Sequence, residues 1–175
     1  SDFDLSGKTF SIGGNVVLVN GALSSARFSK VTLNRGDDVA VSVKRSGKGY
    51  AVDVRGNALD ARSLIKQFTS DVDTATKATG TDAITVSANI DSLTGFHDEK
   101  LSNLQLDYSG AGSKVNGLNV SAVASSGAGI AISNTAGGGR RALSVKSTDA
   151  GAVLRFLNIY EHMEGGSITL ALSGA

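Results

Sequence analysis

The sequence predicts a mainly β protein: an elongated antiparallel sheet of about ten strands, forming a curved groove or a meander, with two short helices. The first observation is period-2 alternation. Val39, Val41 and Val43 share one side of a strand, whereas Ser42 and Lys44 share the other. The second is that glycine and polar clusters separate the apolar runs, as turns require. The third is that helical periodicity is clear in two segments.

The strand segments have one apolar and one polar face, a pattern typical of antiparallel sheets. Short loops such as RSGKG and NRGDD suit hairpins. In chain order, the segments are SIGGNVVLVNG, RFSKVTLNRG, DDVAVSVKRSGKG, YAVDVRGN, DAITVSANIDSL, LSNLQLDYSGAG, GLNVSAVASSGAGIAISNTAGGG, RRALSVKS and SITLALSG.

The first predicted helix covers residues 60–75. Asp60 is placed as its N-cap, because a carboxylate can accept hydrogen bonds from the free N–H groups of a first turn. Leu59 and Leu64 are spaced as a hydrophobic staple around that cap. Leu64, Ile65 and Phe68 form the buried stripe.

The second predicted helix covers residues 149–163, with Asp149 as its N-cap. Its apolar stripe consists of Val153, Leu154, Leu157 and Tyr160. We expect Gly165 or Gly166 to end this helix with a positive φ. The chain would then reverse into a strand, and the helix would brace one end of the sheet.

The two helical segments also resemble each other, since Asp60 and Asp149 precede similar apolar patterns. This similarity suggests two sub-repeats, 1–75 and 80–175, within a single β-rich module, 1–175. Because the chain opens in mid-pattern and stops directly after a strand, we expect it to be a fragment of a larger protein.

Composition excludes some function classes. Seventeen Lys and Arg against 16 Asp and Glu leave a net charge of +1, which gives no electrostatic footprint for nucleic acid or for an anionic membrane surface. Six Phe, three Tyr and no Trp are too few for a base-stacking platform. Without cysteine there is no disulfide or thiolate metal site. The sequence has no apolar run of membrane-spanning length and no signal-peptide pattern at its start.

Catalytic motifs are not evident. His97 and His162 each have acidic neighbours, but neither cluster supplies three zinc ligands locally. The chain has no Gly-x-Ser-x-Gly elbow, and SGAGSKVNG lacks the ending of a phosphate-binding loop. We therefore expect no enzymatic activity, no metal and no cofactor; an undetected hydrolase using one of the histidines is the weakest alternative.

The closing segment STDAGAVLRFLNIYEHMEGGSITLALSGA resembles the ending of AsmA-like proteins, specifically the large periplasmic members with a domain of unknown function and an AsmA-like C-terminal region. VDVRGNALDARSLIKQF resembles an upstream element of the same proteins. The residues that carry the resemblance at the end of the chain are Ser147, Asp149, Ala150, Gly151, Leu154, Leu157, Tyr160, Gly165, Gly166 and Leu170.

The resemblance implies a β-groove with an apolar interior that bridges the two membranes of a Gram-negative envelope. It implies a non-enzymatic role in phospholipid transfer or outer-membrane homeostasis. The partners would be phospholipid acyl chains and other segments of the same protein. The family's inner-membrane anchor is missing from this sequence, so the implied location is periplasmic, with an anchor elsewhere in the full-length protein.

Alternation then assigns a face to each strand residue. Lys44, Asp53, Arg55 and Gln105 would point to water. The candidate lipid-facing residues are Val39, Val41, Val43, Val52, Val54, Ile84, Val86, Leu104 and Leu106. The same nine residues would be ordinary core if the sheet were covered. The alternative function is accordingly a structural or adhesive segment of an exported protein, with a packed, ligand-free core.

Overall fold

The computed structural model describes residues 2–6, 11–70, 82–112, 114–137, 140–162 and 164–174. These residues form strands and two short helices. The strands are β1 (Asp2–Ser6), β2 (Ser11–Val19), β3 (Ala22–Thr32), β4 (Asp38–Ser46), β5 (Gly49–Asp60), β6 (Ala83–Thr94), β7 (Lys100–Ala111), β8 (Lys114–Ala124), β9 (Gly129–Gly137), β10 (Arg140–Ser147) and β11 (Ile168–Gly174). The helices are α1 (Arg62–Ser70), between β5 and β6, and α2 (Ala150–Phe156), between β10 and β11.

All eleven strands belong to one sheet, and their order in space follows their order in the chain. The sheet is open and not closed into a barrel. The prediction of a mainly β meander with two short helices is therefore confirmed. Strands β1 to β5 precede α1, and β6 to β10 lie between α1 and α2. The two predicted sub-repeats stay a prediction.

One pair departs from the predicted antiparallel pairing. β5 and β6 are parallel, from Tyr50↔Ile84 to Asp60↔Thr94, so the sheet is mixed. The 61–82 connection returns the chain to the end at which β5 began, which is what a parallel pair requires. The 148–167 connection has a similar length but leaves β10 and β11 antiparallel.

The register sorts side chains onto two faces. Val41 pairs with Val54, Val54 with Ala88, and Ala88 with Leu106. Directly paired residues lie on the same face, so these side chains form an apolar row across four strands. The alternate positions form the opposite, polar face. On it, Ser42 pairs with Asp53, Asp53 with Ser87, and Ser87 with Asp107.

Helix α1 begins later than predicted. Asp60 is the last residue of β5, and the carbonyl of Ala61 accepts the helical hydrogen bond from the backbone N–H of Ile65 (2.9 Å). Asp60 still serves the first turn, because its carboxylate accepts from the backbone N–H of Arg62 at 3.0 Å. Leu59 and Ile65 pack against the core, whereas residues 71–75 and the Phe68 side chain lie outside the described part.

Helix α2 is half the predicted length and is not ended by glycine. Its C-cap is Leu157, and the next residue, Asn158, has the left-handed φ of +60° that terminates it. The chain then leaves the predicted helical path. Tyr160, which was predicted to be part of the apolar stripe, is 64 % exposed.

Gly165 and Gly166 do have positive φ values, +62° and +76°. They act at the other end of the helix, however. The carbonyl of Gly166 accepts from the N–H of Ala150 at 2.8 Å, and that of Gly165 from the N–H of Gly151 at 3.0 Å. The pair thus satisfies first-turn donors of α2 and brings the chain back to the point where β10 ended.

The main hydrophobic cluster lies on the apolar face at one end of the sheet, which we call the helix end. This end carries both helix starts and the 33–37, 95–99 and 125–128 turns. The opposite end, with the 20–21 and 47–48 turns, is the hairpin end. The buried members of the cluster are Ala61, Ile90, Leu93, Leu101, Ala122, Ala124, Ile130, Ala152, Val153 and Phe156.

Candidate functional site

All nine candidate lipid-facing residues lie on the apolar face of β4 to β7, as the register shows. Their exposure differs along the strands. Val39 is only 5 % exposed, so it is core and not available to a ligand. Ile84, nearest the hairpin end, is 41 % exposed. The other seven are half-buried.

Helix α2 and the start of α1 both pack on the apolar face at the helix end, where Ala61, Val153 and Phe156 belong to the core cluster. Val54 and Leu104 pack against the cluster that α2 completes. The remaining half-buried candidates do not belong to that cluster. Because all described strands lie in one sheet, no second sheet covers them among the described residues. The half-buried candidates outside this cluster are Val41, Val43, Val52, Val86 and Leu106.

Helix α2 is attached to the 95–99 turn by residues that sequence reasoning missed. Arg155 forms an ion pair with Glu99, with its Nη2 at 2.6 Å and its Nε at 2.8 Å from Oε1. The carbonyl of Phe156 accepts from the N–H of Phe96 at 3.2 Å. The Phe156 ring lies so close to Gly95 that an added Cβ would be 2.2 Å from the ring.

The N-terminus of α2 is attached to the 125–128 turn. The Asp149 carboxylate accepts from the N–H of Ala152 at 2.9 Å. A hydrogen bond with Ser126, together with that from Ala152, lowers the pKa of Asp149. Ser147 adds a further contact, since its hydroxyl accepts from the Asp149 N–H at 3.1 Å.

Asp37 connects the β3–β4 turn to the end of β5. It is 5 % exposed, and its carboxylate accepts from the N–H groups of Leu33 (3.0 Å), Asn34 (2.7 Å) and Asp60 (2.8 Å). Asp60 in turn accepts from the Arg62 guanidinium, which lowers the pKa of the Asp60 carboxyl. Both carboxylates accept hydrogen bonds from N–H groups of nearby backbone, and Asp60 also from the Arg62 side chain, so their role is structural.

The two histidines do not belong to a metal-binding group in the described residues. His97 has its Nε2 2.7 Å from Oδ1 of Asn158 and its Nδ1 3.8 Å from Glu161. His162 is exposed. No group of three or more His, Asp and Glu side chains in the described ranges is arranged to hold a metal ion. Neither described helix is long and apolar enough to cross a membrane.

The polar face carries the residues predicted to point to water. Lys44, Arg55 and Gln105 are exposed, and Asp53 pairs with Arg55 at 2.9 Å. An open depression of about 610 Å³ lies over this face. Its charges are mixed, since Lys44 and Arg55 line it together with Asp53 and Asp107. The polar face therefore offers charges of both signs, whereas the part of the apolar face outside the core cluster offers mainly hydrocarbon, and we take the latter as the candidate site.

No family model, curated protein or solved structure matches this chain.

Proposed function

We propose that this chain is a non-enzymatic module of an AsmA-like envelope protein that binds phospholipid acyl chains along its apolar face. Its role is in phospholipid transfer between the inner and outer membranes or in outer-membrane homeostasis. In this proposal the full-length protein is anchored in the inner membrane, and the module lies in the periplasm beside other segments of the same protein. The supporting observation is the apolar face shared by β4 to β6, on which the half-buried Val43, Val52 and Val86 lie outside the core cluster.

The dimensions of the face suit an acyl chain. An apolar row outside the core cluster runs from Val43 on β4 to Leu118 on β8 through directly paired residues. Four inter-strand spacings make this row roughly 19 Å long. An acyl chain occupies one leaflet of a hydrocarbon core about 30 Å thick, or roughly 15 Å. Burial of hydrocarbon on this row would stabilise the complex by about 0.8 kcal/mol per CH₂, without a specific polar contact.

The alternative, a structural or adhesive segment with a packed core, requires the same face to be covered. A single sheet with a helix over one end favours the lipid-binding proposal, because a row of half-buried valines remains beyond the helix.

Neighbouring residues on opposite faces give a matched test. Val43 and Ser42 are both half-buried, but Val43 lies on the apolar face and Ser42 on the polar face. A photo-crosslinking amino acid is placed at each position in turn in cells, and adducts are analysed for phospholipid. We expect lipid adducts at position 43 and few at position 42. Equal labelling at both positions, or none at either, would contradict the proposal.

A further inference from the structure

The register places a cation, Arg45, on the apolar face. Val43 pairs with Val52, and Arg45 pairs with Tyr50 two positions further along the same two strands. Because side chains alternate between faces, Arg45 and Tyr50 share the face of the two valines, whereas Lys44 lies on the polar face. The Arg45 guanidinium lies over the Tyr50 ring, 5.8 Å from its centroid, as this placement requires. β4 is an interior strand between β3 and β5, so the exposure of Arg45 does not depend on a sheet edge.

The surroundings of Arg45 on this face are uncharged. Three rows of directly paired residues cross β4 to β8, beginning at Val41, Val43 and Arg45. Apart from Arg45, every residue of these rows is aliphatic, a tyrosine or a glycine. Asp82, an acidic residue that precedes β6 at the hairpin end, is separated from β4 by the whole of β5. The positive charge of Arg45 therefore borders hydrocarbon and not a carboxylate.

Arg45 differs in this respect from other arginines of the chain. Arg55, Arg62 and Arg155 each form an ion pair with a carboxylate. Arg45 forms none with the described residues, and its ring contact uses the flat side of the guanidinium. The N–H edge of an arginine carries five donors in a fixed fork that matches a phosphate or a carboxylate. Pairing with Tyr50 across the hairpin explains the ring contact, and the N–H edge stays available to an anionic ligand.

Arg45 also stands beside one end of the apolar row that runs from Val43 to Leu118. Two positions on one strand face separate Arg45 from Val43, roughly 7 Å. Along β4 toward the helix end the face soon closes, since Val39 is 5 % exposed. Across the strands it continues for roughly 19 Å. Hydrocarbon attached to an anionic group at Arg45 therefore has its longer apolar path across the sheet, from β4 to β8.

We propose that the apolar face binds an amphiphile with a phosphate or carboxylate headgroup in one direction, with the anion on the N–H edge of Arg45 and the chain along the row toward Leu118. This inference rests on the proposed function, and it specifies the headgroup charge and the direction of the lipid. A guanidinium forms two parallel charge-assisted hydrogen bonds with either anion, whereas a neutral headgroup forms none.

Amphiphiles of equal chain length test the headgroup. Dodecyl phosphate and dodecyl maltoside, each below its critical micelle concentration, are titrated calorimetrically into the wild type, Arg45→Gln and Lys44→Gln. Lys44→Gln is the matched control, because it removes the same charge from an adjacent, exposed position on the polar face. We expect Arg45→Gln to weaken dodecyl phosphate binding by about tenfold or more, as loss of hydrogen bonds to a charged group does. Lys44→Gln should leave it nearly unchanged, since an exposed cation on the other face is screened.

Dodecyl maltoside separates headgroup binding from folding. Arg45→Gln should bind it as the wild type does, and equal loss of both amphiphiles would instead assign Arg45 a role in the hairpin fold and overturn the inference. Equal wild-type affinities for the two amphiphiles, or equal losses in Arg45→Gln and Lys44→Gln, would overturn it while lipid binding stands. Inorganic phosphate that bound as tightly as dodecyl phosphate would indicate a free-anion site, with the same consequence. If neither amphiphile binds, the proposed function fails as well.

Spin-labelled stearates test the direction. The nitroxide lies near the carboxylate in 5-doxylstearate and near the chain end in 16-doxylstearate. We expect the first probe to broaden the methyl NMR signals of Val43 most strongly, and the second those of Leu118. The same broadening pattern from both probes would contradict a single direction of binding.

Discussion

Asp149 shows how one side chain connects the sequence pattern to the position of α2. Its carboxylate accepts from the N–H of Ala152, and its pKa is lowered by hydrogen bonds with Ser126 and Ala152. A lowered carboxyl pKa means that the folded state favours the charged form. The resulting stabilisation is complete above pH ~4 and is lost as the pH falls through the lowered value.

We therefore expect Asp149→Ala to lower the free energy of unfolding by about 1 kcal/mol at neutral pH. Urea denaturation at pH 7 and at pH 3 measures the difference from the wild type, which should shrink at the lower pH. Asp149→Asn is the control, since Asn caps as well as Asp but carries no charge, so its advantage over Ala should not change with pH. An Asp-to-Ala difference of equal size at both pH values would contradict this assignment.

Single residues also differ in whether their role could be predicted from the sequence. Asp149, Gly165 and Gly166 could be selected from the sequence because caps and positive-φ turns have strong local preferences. Asp37 could not, since its three hydrogen bonds include one to Asp60, 23 residues away. Only the folded register brings that carboxylate to the end of β5.

At the scale of elements, the sequence predicted every strand except β1 and the approximate positions of both helices, because periodicity is local. It overestimated α2, since Tyr160 continues the 3.6-residue spacing although Asn158 has already ended the helix. It also missed the buried side of α2, which includes Ala150, Gly151 and Ala152. Alanine and glycine contribute little to a hydrophobic periodicity, so they were missed. Their small size nevertheless allows the helix to lie close to the sheet.

The contact between α2 and the 95–99 turn depends on the absence of a side chain at position 95. Gly95→Ala places a Cβ 2.2 Å from the Phe156 ring, which is 6 % exposed and held by the cluster. We expect a loss of about 1–3 kcal/mol in the free energy of unfolding, measured by urea denaturation.

Gly129→Ala is the matched control, because nothing lies within 4 Å of a Cβ there, and it should be nearly neutral. The cost of Gly95→Ala should also fall in a Phe156→Leu background, where the ring is gone. Equal costs in both backgrounds would show that the ring is not the cause.

Strand polarity is the element-level feature that the sequence prediction got wrong at one pair, since antiparallel pairing was expected throughout and β5 and β6 are parallel. The 61–82 and 148–167 connections are of similar length, but the first produces a parallel pair and the second an antiparallel one. The carbonyls of Gly165 and Gly166 return the chain to the start of α2, and β11 therefore begins where β10 ended. Connection length permits either result, and a tertiary contact decides between them.

At the scale of the whole molecule, the two ends of one sheet differ in chemistry. The helix end is closed by α2 over a buried cluster, whereas the hairpin end exposes apolar and basic residues. Alternation predicted the two faces, but not this difference along the strands, because each strand repeats the same pattern from end to end. The described half-buried residues outside the cluster, such as Val43 and Val52, lie toward the hairpin end, and the lipid-binding proposal rests on them.

A charge on the uncovered part of the apolar face tests that proposal for the intact chain. Val41 is half-buried and lies outside the core cluster, so Val41→Asp should leave the fold intact, as circular dichroism can verify. A carboxylate against hydrocarbon is strongly unfavourable, and we expect roughly tenfold or greater loss of phospholipid recovered with the purified protein. Ala40→Asp is the matched control, because Ala40 lies on the polar face and pairs with Arg55. If Ala40→Asp lowers the recovered phospholipid as much as Val41→Asp, lipid does not bind on the apolar face.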